Sequence, residues 1–141
     1  VASGQLKEAK STLVDFRNSD TAFATGWYFP MLAREMLKSG DIATTREALS
    51  IIELSFETST KSNENGAMPL IYHALGETEC QLAQLTGQLH ASQQLTSIYL
   101  KLNKAISIAK EQGASYFENE SQGLLQRIES ETKKSPVTVL A

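Results

Sequence analysis

Apolar residues recur along this chain at three- and four-residue spacing, and the breaks between runs are polar or glycine-containing. Leu6, Ala9, Leu13 and Phe16, with Val14, follow that spacing and predict an amphipathic helix over residues 4–18. The break "NSDTAFATG" follows, and the next run contains Pro30, which lacks an N–H and clashes with a preceding turn inside a helix. Placing Pro30 in a first turn starts this helix at residue 26 or 27 and carries it to 39, where Gly40 caps it. Asp41 is the expected N-cap of a helix through Ile42, Leu49, Ile52 and Phe56, ended by the polar string "TSTKSNENG". Pro69 marks the start of a helix through Ile71, Leu75, Leu82 and Leu85 to Gly87. After "QLHASQQ", helices are expected over about 94–112 and 115–131, with "KKSPVTVLA" as a frayed tail. No period-two run and no Asn-Gly or Asp-Gly turn marks a strand. The fold class predicted is all-α, with five or six helices in antiparallel pairs.

The helix-pair order invites a search for repeats. The segment "FPMLAREMLKSGDIATTREALSII" resembles a tetratricopeptide repeat without a gap. Phe29 matches the family's aromatic, Leu32 and Ala33 its Leu and small residue, and Met36 its next large position. Gly40-Asp41 matches the inter-helix turn, Ile42 the aromatic after it, Thr45 the small residue and Leu49 the second-helix core position. In a looser second unit Tyr72, Leu75 and Gly76 match the first helix, and Ile98, Leu102, Ala105 and Ile106 the second. Gly87 comes one turn late there, "QLHASQQ" is extra, and Glu79 replaces an aromatic. The combination "ALGETECQLAQ" with "YLKLNKAISIAKEQGASYFE" is similar to the C-terminal tetratricopeptide-type region of bacterial ATPase, adenylate-cyclase-like and transcriptional regulators, over residues 27–128. The resemblance implies a superhelical stack of helix pairs over residues 1–132, with a tail at 133–141.

Small residues at Ala105, Ala109 and Gly76 are then expected where the two helices of one pair approach closely. Leu102 and Ile106 fill the space toward the last helix, which presents Tyr116, Phe117, Leu124, Leu125 and Ile128.

Composition changes the picture only by exclusion. A length of 141 residues suits one domain, and 13 Lys+Arg against 16 Asp+Glu disfavour a phosphate backbone as partner. The single cysteine, Cys80, suits a reducing compartment and so a cytoplasmic location. No run approaches the ~20 apolar residues of a membrane span.

Candidate chemistry is sparse. "GDIATT" lacks the Lys and glycine spacing of a phosphate loop. His73, Glu77 and Cys80 share a helix face as a partial metal set, but a fourth ligand is missing and His90 is the other imidazole. His73 lies two turns from Cys80, about 10 Å along the axis, too far to serve it as a base. Asn119-Glu120-Ser121 is a formal glycosylation sequon inside an expected helix and reads as chance. No enzyme activity, cofactor or metal is expected.

The resemblance implies an interaction module with a concave face. The first-helix positions that face it fall on Trp27, Arg34, Leu37 and Lys38, and in the second unit on Leu70, His73, Glu77, Cys80 and Gln81. Such a surface suits an acidic or amphipathic protein segment. Charge reversal at Arg34 and Lys38 is expected to weaken partner binding while changing stability by no more than about 0.5 kcal/mol. The expected role is a regulatory part of a larger bacterial signalling or transcription protein. Two other roles fit the same residues: a peptide or small-ligand sensor, and a segment that packs against an ATPase or cyclase domain of its own chain.

Overall fold

A computed structural model describes residues 22–133, and their regular structure is helical throughout. The amphipathic stretch 4–18 and most of the expected tail lie outside the described residues. The helices are α1 (Ala22–Met36), followed by a 3-10 turn (Leu37–Ser39), α2 (Ile42–Lys61), α3 (Met68–Leu85), α4 (Ser92–Gln112) and α5 (Ser115–Lys133). Among the described residues no helix is long and apolar enough to cross a membrane.

Local chemistry sets most of the boundaries. Gly40 adopts φ 73, and its N–H donates to the Leu37 carbonyl, closing the turn after α1. The Asp41 carboxylate accepts from the Thr44 N–H at 2.7 Å and caps α2. Pro69 sits in the first turn of α3, where its missing N–H has no intrahelical partner to lose.

Two boundaries differ from the expectation. α1 begins at Ala22, so Pro30 lies inside the helix. Burial of Pro30 beside the fully buried Phe29 offsets the hydrogen bond that the proline removes. α2 continues through "TSTK" to Lys61. Its Thr60 hydroxyl donates to the Phe56 carbonyl one turn back, and that of Ser62, just after the helix, to Thr58. A hydroxyl-rich run reads as a loop, but here the Thr60 and Ser62 hydroxyls bond back to helix carbonyls, while the Ser59 hydroxyl is buried without a partner among the described residues.

The side-chain pairings fix the direction of every helix. Tyr72 packs edge-on against Phe56, with ring centroids 5.4 Å apart, while Gln81 bonds Thr45, so α2 and α3 are antiparallel. Glu79 accepts from Ser97 while Gly76 faces Leu102, so α3 and α4 are antiparallel too. Arg34 meets Glu77 and Gln81 reaches the Leu37 carbonyl, which makes α1 and α3 parallel. His73 meets Ser121 and Gln84 meets Glu131, which makes α3 and α5 parallel. Thus α1, α3 and α5 form one layer of like direction. α2 and α4 form a second, and α3 touches all four other helices. The starts of α1, α3 and α5, at 22, 68 and 115, lie 46 and 47 residues apart.

Two cores flank α3. Phe29, Met36, Ile52 and Ile71 join α1, α2 and α3, whereas Ala83, Ile98, Leu102, Leu124 and Ile128 join α3, α4 and α5. Because α3 meets all four other helices, 11 of its 18 residues are buried.

The small residues fall at contacts. Ala105 and Ala109 are fully buried, and a Cβ built on Gly76 would stand 2.6 Å from Leu102 Cδ2. Ala105→Leu is therefore expected to overpack α4 and cost about 1–3 kcal/mol in a urea unfolding experiment.

Candidate functional site

The layer of α1, α3 and α5 carries a polar cluster built from all three helices. The Arg34 side chain on α1 donates through Nε to Glu77 Oε1 on α3 at 2.9 Å, and through Nη2 to Glu120 Oε1 on α5 at 3.3 Å. Burial pulls the guanidinium down, but the hydrogen bonds and charges of Glu77 and Glu120 outweigh it and hold the group above its ordinary value. One forked cation thus ties three helices.

Beneath this bridge, His73 Nδ1 lies 2.8 Å from Ser121 Oγ, and His73 Nε2 lies 3.9 Å from Glu77 Oε2. Ser, His and Glu are the residue types of a nucleophile, base and acid relay. Ser121 is 0% exposed and His73 2%, so no reacting carbonyl reaches the hydroxyl. The contact ties α3 to α5.

Burial pushes the His73 imidazole below its ordinary value. Glu77 and Glu120 pull it up, and Arg34 and Arg127 push it down. An unfolded imidazole takes up its proton near pH 6.5, whereas the folded one takes it up only at lower pH. His73 therefore has no effect above about pH 6.5. Stability falls as pH drops from there through the depressed folded value, by up to about 1.4 kcal/mol per pH unit. Urea unfolding at stepped pH measures this, and His73→Gln should abolish the slope between pH 6.5 and 5, above the range in which ordinary carboxylates titrate.

The nine positions expected on one binding face divide sharply. Arg34, Glu77 and Lys38 do share a face, Arg34 and Lys38 lining a 440 Å³ depression with Met31, Glu35, Leu37 and Glu77. Lys38 is exposed and pairs with Glu35 at 2.8 Å. Gln81 donates to the Leu37 carbonyl at 2.9 Å and to Thr45 Oγ1 at 3.1 Å, which makes it an interhelical strut. Leu70 and Cys80 are buried beneath the neighbours of α3, and Leu37 and His73, though also buried, only border depressions on this side. Trp27 is half-buried against the first core, with its ring beside Gly66 in the α2–α3 connection.

Arg34 also differs from the surface cation expected. Its two carboxylate partners make charge reversal there a structural change, so Lys38 is the position that tests binding. On the other side of the Arg34 bridge, a 280 Å³ depression is lined by His73, Glu77, Asn119, Glu120, Leu124 and Arg127. Arg127, exposed on α5, lines this depression and was not among the positions read from the sequence. Its place three residues after Leu124 and one before Ile128 was a usable signal, since it borders the stripe that packs α5.

Burial pushes the Cys80 thiol up to about 11, so it is protonated at neutral pH and unsuited to nucleophilic attack. Among the described residues no group of three or more His, Cys, Asp or Glu side chains is arranged to hold a metal ion.

A further depression lies elsewhere, with a volume of 590 Å³. α2 and α4 run in the same direction and stand apart over α3. Tyr72, Leu75 and Leu82 of α3 form its floor, and Leu49 and Phe56 of α2 one wall. On the α4 side, Lys101 is ion-paired with Glu79, which also accepts from Ser97 at 2.7 Å. Comparison with family profiles, with curated proteins and with solved structures yields no match.

Proposed function

We propose that the protein is a non-enzymatic interaction module of the tetratricopeptide type, a regulatory part of a larger bacterial signalling or transcription protein. The observation that carries this reading is the parallel layer of α1, α3 and α5, with α2 and α4 filling the second layer. Such a stack cannot bury each unit alone, and it leaves an extended face along its first helices. A spacing of 46 and 47 residues exceeds the 34 of the standard repeat, because α2 and α4 run to 20 and 21 residues.

The partner proposed is an amphipathic protein segment bearing a carboxylate. Arg127 and Lys38 flank the bridged centre of the face, and Met31, 60% exposed, supplies an apolar contact beside Lys38. A net charge of −3 argues against a nucleic acid.

Fluorescence anisotropy with a labelled Leu/Glu peptide, compared against a Leu/Lys peptide of equal length, tests this. The acidic peptide should bind more tightly, and the double variant Lys38→Glu/Arg127→Glu should weaken it at least tenfold with an unchanged melt. Equal binding of both peptides, or no loss in the variant, would sink the reading.

A further inference from the structure

We propose that the cleft between α2 and α4 is a second docking site, which seats one amphipathic helix of a partner protein with a carboxylate opposite Arg46 and a cation opposite Glu53. Three observations carry it, and none depends on the face formed by α1, α3 and α5.

The first is shape. Two helices of like direction, held apart over a third, leave the space that another helix fills when its side-chain ridges enter the grooves between them. The wall from Arg46 to Phe56 spans about 15 Å by helix rise, or roughly three turns. The second is chemistry. The floor and near wall expose part of Leu49, Phe56, Tyr72 and Leu82, each of which is only half-buried in this chain. An open groove of this kind suits the side of a helix better than a small molecule, which needs enclosure on most of its surface.

The third is charge. Arg46 and Glu53 sit seven residues apart on the exposed edge of α2, about 10 Å along its axis, and neither forms an ion pair. On the opposite edge Lys101 is already neutralised by Glu79. The free charges thus form one +/− pair at two-turn spacing, and a helix carrying an acid and a base seven residues apart complements both.

Three labelled helical peptides with the same leucine stripe test the proposal. They carry Glu and Lys, two Glu, or two Lys at the seven-residue spacing. In a Lys38→Gln/Arg127→Gln background, which removes the cations of the other face, the protein should prefer the Glu/Lys peptide by about fivefold, the scale of one well-placed exposed ion pair. Glu53→Arg should transfer the preference to the two-Glu peptide, and Arg46→Glu to the two-Lys peptide. Leu82→Gln should weaken all three. Because Arg46 and Glu53 are exposed, their variants should melt as wild type does.

Equal affinity for the three peptides, no binding of any, or a preference unmoved by the two wall variants would overturn the proposal. Displacement of bound peptide by dodecanoate, with no charge preference among peptides, would reassign the cleft to a small amphiphile. Lys38→Glu/Arg127→Glu should leave the cleft peptides bound. If that variant loses them, the peptides occupy the other face, and the cleft proposal fails while the proposed function stands.

Discussion

Leu102→Ala is expected to destabilise the protein by about 2–5 kcal/mol, because the side chain is fully buried where α3 and α4 come closest. Its partner there is Gly76. A Cβ at Gly76 would meet Leu102 Cδ2 at 2.6 Å and Cγ at 2.8 Å, so the glycine makes room for the leucine. Gly76→Val should therefore cost about 1–3 kcal/mol by overpacking. The two changes are complementary in volume. Combined, they should cost less than the sum of the single variants, since the valine fills part of the space that the leucine vacates. Urea unfolding at equilibrium gives the three values. Strict additivity would show that the two residues do not share a contact.

Arg34→Glu should cost about 2–3 kcal/mol, below the 3–5 typical of breaking a fully buried pair because the side chains retain some exposure. The variant sets a third carboxylate against Glu77 and Glu120, and like charges in a half-buried site repel. Its deficit should narrow at low pH, because protonating carboxylates relieves like-charge repulsion. Arg34→Lys should lie between wild type and Arg34→Glu, since an ammonium lacks the planar fork that reaches two helices at once. Unfolding at pH 7 and pH 4 distinguishes these outcomes. A deficit that is the same at both values would mean the loss is one of packing, and the three-helix bridge would not stand.

Much of the helix plan was legible in the sequence because its signals are local. Asp41 as a cap, Pro69 in a first turn and glycines at 40, 87 and 113 act through their own backbone geometry. Where competing effects met, the local reading failed. Pro30 reads as a helix start, yet α1 begins at Ala22 and holds Pro30 buried within it. The Ser/Thr run after Glu57 reads as a loop, yet the hydroxyl of Thr60 bonds back into the helix.

The candidate face was less legible for a different reason. The resemblance to a tetratricopeptide repeat placed Leu70, His73, Glu77 and Cys80 of α3 on an open concave face. What covers a stripe depends on α5, more than forty residues on, and no local pattern records that α5 lies there. Arg34 and Glu77 were both chosen for their place on one face. Their ion pair needed the parallel arrangement of α1 and α3. The α2–α4 cleft was invisible for the same reason, since Leu49, Phe56 and Leu82 look like ordinary core positions until the gap above α3 is known.

Docking of a protein segment along the layer of α1, α3 and α5 is what we propose for this protein. Photo-crosslinking from single sites in the cells that make the protein tests it most directly, with a photoreactive residue placed at position 38, 127 or 104. Lys38 and Arg127 lie on the proposed face, and Lys104 is exposed on α4 in the other layer. One common crosslinked partner is expected at positions 38 and 127, absent at 104, and lost from position 127 when Lys38 is also changed to Glu. A partner captured at 104 but not at 38 or 127, or captured equally at all three, would contradict it.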